Sequence, residues 1–381
     1  MPLSLYLLAV AVFAMGTSEF MLAGLLPDIA ASLDVPVGTA GLLTSAFAAG
    51  MAAGAPLVAA LARRWPRRTA LVGFLGVFLA AHVAGALTGD FAVLFATRVV
   101  AALANAGFLA VALTAAADLV PADRKGRALA VLLSGTTVAT VVGVPGGALL
   151  GTLLGWRATF WAVALLCLPA ALGVLRGVPA GPTDTGGGRQ VRRELAQLRR
   201  PRLILVLLLG ALVNAATFGA FTFLAPVVTD VAGLGPLWIP VVLVLFGLGS
   251  FAGVTVAGRL SDRRPGVVVA VGGPLLLAGW IAFGLTADAP AALVVLAFTQ
   301  GALSFAVGST LIALVLYEAA EAPTMAGAYA TAALNVGAVA GPAVGAVALG
   351  TGLGELGPVW VGAVLVAAAL VLALPFRRVF A

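Results

Sequence analysis

One acidic and one basic side chain stand alone in stretches that are otherwise apolar enough to enter a lipid bilayer. Glu19 lies in GTSEFMLAGLLPDIA, and Arg98 lies in FATRVVAALANAG. A charge at the centre of a spanning helix costs roughly 2.5 to 3.5 kcal/mol on insertion scales, so such residues usually serve a function. A carboxyl group that gains and loses a proton beside a fixed guanidinium is suited to moving protons through a membrane.

Composition predicts the kind of scaffold that holds these two residues. The 381 residues are 62% hydrophobic and only 9% charged, whereas a soluble domain has about 25% charged residues. This composition indicates an integral membrane protein. The single histidine, His82, and the single cysteine, Cys167, cannot form a metal, haem or disulfide site, so no cofactor and no metal are expected. The sequence contains no catalytic constellation and no phosphate-binding loop, so it does not predict an enzyme.

Apolar runs and basic residues together predict the topology. A span needs about 20 residues, and the chain divides into twelve such runs, at about 4–26, 39–62, 69–88, 91–117, 128–152, 158–176, 203–229, 238–259, 267–287, 291–317, 326–350 and 359–376. All but two of the 21 basic residues fall at one face of this arrangement. Both termini are therefore predicted to be cytoplasmic, and the net charge of +7 reflects topology rather than nucleic-acid binding.

Repeated landmarks predict two similar halves. Pro27, Gly50 and Gly54 recur as Pro226, Gly249 and Gly253 at a constant offset along the chain. We expect an all-α membrane protein with two pseudo-symmetric six-helix bundles, at residues 1–176 and 203–381, joined by a cytoplasmic linker at 177–202. Parallel repeats of this kind flank a midplane site in many transporters.

Helical geometry predicts that Glu19 and Arg98 lie at similar depth. Glu19 is about 14 residues from the cytoplasmic start of its span, and Arg98 about seven residues from the outer start of its own span. Both side chains are then about 10 Å below the outer face of the bilayer core. We expect an ion pair or a shared water-filled cavity; a static pair that only fixes helix packing is the alternative.

The second half lacks this charged pair, because Phe218 and Gln300 stand at the matching positions. We expect the first half to handle a proton and the second to supply a neutral wall for a cargo molecule. The alternative role of each wall residue is packing alone. His82 is expected to have a structural or weakly polar role, since the sequence places nothing titratable near it. The predicted substrate-binding residues are Phe20, Asn105, Phe108, Asn214, Phe218, Gln300 and Ser304.

Three motifs resemble those of the major facilitator superfamily, in its drug/proton antiporter branch. They are GRLSDRRPGVVV after span eight, FATRVVAALANAG in span four and VVGVPGGALLG in span five. Together with GTSEFMLAGLLPDIA, LSGTTVATVVGVPGG, GWRATFWAV and YATAALNVGAVAGP, they are most similar to the chloramphenicol-resistance exporters. The resemblance implies a cytoplasmic gate at Gly258, Asp262 and Arg263, and an antiporter motif at Gly143, Pro145, Gly146 and Gly147. Arg63 departs from the pattern, because it replaces an aspartate of the first-half loop.

The resemblance implies proton-coupled efflux of a small neutral drug, chloramphenicol, by alternating access. Glu19 is then the proton carrier, and Arg98 favours its ionised form. The implied partners are the drug, protons and the bilayer, in a monomer of the plasma membrane that binds no nucleic acid. Alternatives are export of an endogenous sugar or nucleoside, export of another drug class, and a passive channel.

Overall fold

The computed structural model describes residues 2–61, 65–121, 124–178, 196–261, 265–319 and 326–375. Within these ranges, twelve helices are long and apolar enough to cross a membrane. Helices suit this environment because each one satisfies its own backbone hydrogen bonds where no water is available. The prediction of twelve spans in an all-α protein is therefore confirmed.

The spanning helices are numbered α1 to α12 along the chain. The first six are α1 (Leu3–Phe20), α2 (Val37–Leu61), α3 (Arg67–Leu87), α4 (Phe91–Asp118), the interrupted α5 (Lys125–Val138 and Val144–Leu154) and α6 (Trp156–Gly177). The others are α7 (Pro201–Thr222), α8 (Trp238–Ser261), α9 (Pro265–Thr286), α10 (Pro290–Glu318), α11 (Ala326–Leu349) and α12 (Gly357–Ala373).

Local sequence explains several helix ends. The Asp90 carboxylate accepts a hydrogen bond of 2.9 Å from the backbone N–H of Val93, which caps the start of α4. Pro201 and Pro290 stand in the first turns of α7 and α10, where a missing N–H costs nothing. Gly155 separates α5 from α6 with a φ of 84°, a conformation that L side chains rarely adopt.

The chain forms two compact units. One comprises residues 1–36 and 46–185, and the other comprises residues 37–45 and 186–381. The first nine residues of α2 thus group with the second unit, a feature that the linear sequence does not indicate. The predicted boundaries at 176/177 and 202/203 stay a prediction.

Three spans are interrupted where the sequence predicted continuous helices; in the seventh, α7 ends at Thr222 and is followed by a short helix at Leu224–Pro226 and a π turn at Val227–Val231. After α1 ends at Phe20, the chain forms a 3₁₀ turn at Met21–Gly24 and a short helix at Leu26–Ser32. Helix α5 contains a π turn at Ala139–Gly143, directly before Val144 and Pro145. Proline cannot donate the regular helical hydrogen bond, and a wider turn accommodates the lost bond.

Glycines bring the backbones of neighbouring helices together inside each unit. In the first unit, Gly135 of α5 approaches the Ala9 carbonyl of α1. In the second unit, Gly337 and Gly341 of α11 approach Ala211 and Ala215 of α7. The fifth span therefore packs on the first as the eleventh packs on the seventh. Small residues permit this close approach in lipid.

Candidate functional site

Arg98 is buried in the first unit, and it attaches α4 to the end of α1. Only 1% of this residue is exposed. Its Nη1 donates a hydrogen bond of 2.8 Å to Ser18 Oγ, and its Nη2 donates one of 2.6 Å to the Ser18 carbonyl. Ser18 lies in the last turn of α1, where carbonyl groups lose their regular intrahelical partners. A cation is also favoured there, because the helix dipole places partial negative charge at the C-terminal end.

Two aromatic rings complete the surroundings of this guanidinium. Arg98 Cζ lies 4.5 Å from the centroid of the Phe47 ring and 6.0 Å from that of Phe160. Cation–π contacts of a desolvated cation contribute about 2 kcal/mol. Arg98 Nε has no hydrogen-bond partner within the described part of the chain. The side chain is therefore held on three sides by neutral groups.

His82 of α3 belongs to the same cluster. Ser18 Oγ lies 2.7 Å from His82 Nε2, and His82 Nδ1 lies 2.8 Å from the Phe78 carbonyl oxygen. His82 is 1% exposed, and its ring centroid is 4.2 Å from that of Phe78. Two hydrogen bonds through Ser18 connect His82 to Arg98, a titratable neighbour that the sequence did not place beside it; the predicted structural or weakly polar role of His82 stays a prediction. The sequence carried no signal for this contact, because residues 18, 82 and 98 meet only through helix packing.

Glu19 follows Ser18 directly and differs from it in exposure. Ser18 is completely buried, whereas Glu19 is partly exposed. The carboxylate of Glu19 and the guanidinium of Arg98 interact electrostatically. Both residues are described by the structure, and no hydrogen bond or ion pair within 4.0 Å joins them. Arg98 is therefore a nearby countercharge rather than a direct partner of the acid.

The antiporter motif of α5 lies against the same part of α1. Gly143 faces the side chain of Thr17, and a Cβ added at Gly147 would lie 3.5 Å from Met21 Cβ. These two contacts bracket the turn that carries Glu19. Pro145 is buried, whereas Gly146 is exposed, with no atom within 4 Å of an added Cβ. Only part of the motif therefore packs on α1.

Gly143→Ala should destabilise the protein, while Gly146→Ala should not. The added methyl group at position 143 would collide with the Thr17 hydroxyl, and overpacking of this kind costs about 1 to 3 kcal/mol. Thermal unfolding of the purified variants in detergent measures the difference. Equal unfolding temperatures for the two variants would show that the α1–α5 contact is loose.

In the second unit, Gln300 of α10 lies at a small cavity. Gln300 is completely buried, and its Nε2 donates a hydrogen bond of 3.3 Å to the Leu276 carbonyl. Its Oε1, the Trp280 Nε1 and the Ser304 Oγ have no hydrogen-bond partner among the described residues. Gln300, Trp280 and three phenylalanines line a narrow cavity of only about 10 Å³; the phenylalanines are Phe221, Phe246 and Phe283. Trp280 was not among the predicted wall residues, although an indole N–H in an apolar span needs a partner.

The other predicted wall residues are distributed through both units. Asn105 and Phe108 are buried on α4, and Phe20 is partly exposed at the end of α1. Asn214 donates a hydrogen bond of 2.6 Å to the Leu334 carbonyl, which joins α7 to α11. The Phe218 ring lies 6.5 Å from that of Phe221. A role for these residues in binding stays a prediction.

The predicted cytoplasmic gate falls largely on residues whose structure is not described. Asp262 and Arg263 lie outside the described residues, as does Arg63 of the first-half loop. Gly258 is in the last turn of α8. The assignment of a gate to these residues therefore rests on the sequence motif.

Twelve helices that are long and apolar enough to span a membrane, with a buried charged cluster in one half of the chain, are typical of a membrane transporter. The chain belongs to the Major Facilitator Superfamily, whose family model matches residues 8–342. It is 73% identical over 381 residues to the "Chloramphenicol resistance protein" of Streptomyces lividans, which covers 100% of this chain and 97% of that protein. It is 32% identical over 365 residues to the "Inner membrane transport protein YdhP" of Escherichia coli (strain K12), covering 96% of this chain and 93% of the relative.

Solved structures share the fold. A bacterial homologue of the human lysosomal transporter Spinster, in an inward-facing and unoccupied conformation, gives a TM-score of 0.72 at 20% identity, over 100% of this chain and 94% of the other. A POT family transporter in complex with a thioalcohol-conjugated peptide gives 0.76 at 13% identity, over 98% of this chain and 96% of the other. The predicted superfamily and fold class are confirmed.

Proposed function

We propose that this protein exports chloramphenicol across the plasma membrane in exchange for protons, by alternating access. The observation that carries the proposal is the 73% identity, over the whole chain, with the chloramphenicol resistance protein of Streptomyces lividans. The buried cluster around Arg98 supports proton exchange as the source of energy. A fixed cation beside the partly exposed Glu19 favours the ionised carboxylate, so each proton that Glu19 gains or loses changes the net charge of the site.

In this proposal Glu19 carries the proton, and Arg98 remains in place. Two hydrogen bonds to Ser18 and the ring of Phe47 hold the guanidinium, so its charge stays fixed while Glu19 gains or loses a proton. The ionised acid is favoured by the nearby cation until the outward-facing state admits a proton. Protonation and drug binding then exclude each other, which links the two movements.

The proton gradient supplies enough energy for this exchange. At a proton motive force of roughly 150 mV, one proton provides about 3.5 kcal/mol, because one charge moved through 100 mV is worth about 2.3 kcal/mol. That free energy sustains a drug gradient of about 300-fold. Exchange of one proton for one neutral drug molecule is sufficient.

Transport by proteoliposomes that contain the purified monomer tests the proposal. With an acidic exterior and drug inside, chloramphenicol should leave the vesicles faster than without a gradient, and a protonophore should remove the difference. A panel with a sugar, a nucleoside and a second drug class identifies the cargo. Gradient-driven movement of the sugar or nucleoside, with none of chloramphenicol, would replace the proposed cargo.

Thiol labelling should place both termini and the linker in the cytoplasm. The native Cys167 is completely buried, so an introduced cysteine provides the signal. A membrane-impermeant maleimide added to intact cells should label Gly89→Cys, in the exposed turn between α3 and α4, and should miss Arg199→Cys. The positive-inside distribution of basic residues gives this expectation. The opposite labelling pattern would invert the topology.

A further inference from the structure

We propose that His82 is a positioning residue for proton exchange, which fixes Arg98 beside Glu19 by holding the hydroxyl group of Ser18. This inference rests on the proposed function and adds a residue to its site. Its basis is the continuous chain of contacts from Arg98 to Ser18, from Ser18 to His82, and from His82 to the backbone of α3.

The direction of each hydrogen bond in this chain follows from the groups themselves. The Phe78 carbonyl only accepts, so His82 Nδ1 carries the hydrogen. In the neutral ring, Nε2 is then an acceptor, and the Ser18 hydroxyl donates to it. Arg98 only donates, so its bond requires an oxygen lone pair of Ser18. The Ser18 hydroxyl thus accepts from Arg98 and donates to His82, and the His82 ring accepts at Nε2 and donates at Nδ1.

The Ser18 hydroxyl departs from the usual behaviour of hydroxyl groups in helices. Serine and threonine in helices commonly donate to the carbonyl group four residues earlier. Several hydroxyls of this protein do so, including those of Thr217, Ser250 and Thr286. Ser18 instead donates to a side chain of another helix, 64 positions away in the sequence. His82 therefore provides an acceptor that turns this hydroxyl away from α1.

The surroundings of His82 keep this acceptor in place. The imidazole contacts the Phe78 ring at 4.2 Å and the Phe160 ring at 5.7 Å between centroids. Phe160 also lies beside Arg98, so its ring is next to both His82 and Arg98. The charged or titratable side chains that interact with this cluster, in the described part of the protein, are Glu19 from α1 and Arg98 from α4.

Loss of the His82 Nε2 acceptor should remove one of the two hydrogen bonds that Arg98 donates to Ser18. A Ser18 hydroxyl without His82 would return to its own helix and turn its lone pairs away from the guanidinium. Arg98 would then keep the Ser18 carbonyl alone, and its free N–H groups would move towards the Glu19 carboxylate. A closer cation stabilises the ionised carboxylate, so proton exchange should require a lower pH.

Three variants separate this role from simple packing. His82→Leu removes the acceptor, whereas His82→Gln keeps an acceptor oxygen and a donor. Ser18→Ala removes the hydroxyl between the two partners. In proteoliposomes we expect His82→Leu and Ser18→Ala to slow gradient-driven chloramphenicol export about tenfold and to shift its pH profile to lower pH. Drug affinity should change less than about twofold, and His82→Gln should retain most of the activity.

Unchanged export and pH profile in His82→Leu would overturn the inference. Equal losses in His82→Gln and His82→Leu would do the same, because they would indicate a need for the aromatic ring alone. Wild-type protein in the same vesicles tests the proposed function separately.

Unfolding temperatures test the network whatever the cargo is. We expect His82→Leu and Ser18→Ala each to lower the unfolding temperature by roughly 3 °C, and the double variant to lower it by about the same amount. Such non-additivity supports a shared hydrogen bond even if the cargo assignment fails. Fully additive shifts would show that the two residues act independently, and the inference would then be wrong.

Discussion

Glu19→Gln should abolish gradient-driven export while leaving a folded protein that still binds drug. Glutamine keeps the size and hydrogen-bonding capacity of glutamate, but it does not titrate. Among the charged residues that the sequence places inside spans, Glu19 is the single acid, so no neighbour replaces it as proton carrier. We expect export from proteoliposomes to fall at least about 100-fold, which corresponds to about 2.7 kcal/mol.

Asp28→Asn is the matched control for this substitution. Asp28 lies in the short helix after α1 and is exposed, so the change removes an acid near Glu19 outside the span. Export by Asp28→Asn should remain within about twofold of wild type, since exposed charges contribute little. Undiminished gradient-driven export by Glu19→Gln would return Glu19 to a structural role and rule out the proposed mechanism.

Arg98→Ala should also eliminate proton coupling, for a different reason. The substitution removes the fixed cation beside Glu19 and both hydrogen bonds to Ser18. Loss of one member of a buried hydrogen-bonded charge cluster costs about 2 to 5 kcal/mol. We expect gradient-driven export to fall at least about 100-fold, with a lower unfolding temperature. Arg98→Lys should recover only part of the loss, because a single ammonium group lacks the planar fork that reaches two oxygens.

Arg157 offers a control with the same type of bonding at a different place. It donates hydrogen bonds of 3.0 Å to Ser32 Oγ and 2.9 Å to the Thr88 carbonyl, and it lies 4.3 Å above the Trp156 ring. Arg157→Ala should lower stability while leaving the dependence of export on the proton gradient intact. If both arginine variants lose coupling equally, the effect of Arg98 is a general loss of stability.

Hydropathy was sufficient to predict the spans, because its signal is local in the sequence. The twelve apolar runs appear as helices, whereas the predicted ion pair between the described residues Glu19 and Arg98 is not formed, and their role in proton coupling stays a prediction. Local signals also explain the break after α1, although they did not predict it. Pro27 lies in the short helix beyond the break and not at the break itself. The apolar run through Leu26 therefore contained no proline and resembled a continuous span.

The partners of Arg98 could not be predicted, because they depend on packing between distant parts of the chain. Ser18 and His82 are ordinary residues in their own spans, and only the approach of α1, α3 and α4 gives them a shared role. Trp280 and Gln300 meet in the second unit in the same way. An unpaired buried donor or acceptor is recognisable only when its neighbours are known.

The neutral partners of Arg98 also have a consequence for membrane insertion during synthesis. A chain emerges from the ribosome in order, N-terminus first, and Ser18, Phe47 and His82 all precede Arg98 in the sequence. When α4 enters the bilayer, the helices that carry Ser18, Phe47 and His82 have thus already been synthesised, and of the groups around Arg98 only Phe160 is made later. The neutral groups that replace water around the Arg98 guanidinium are therefore mostly synthesised before Arg98 itself.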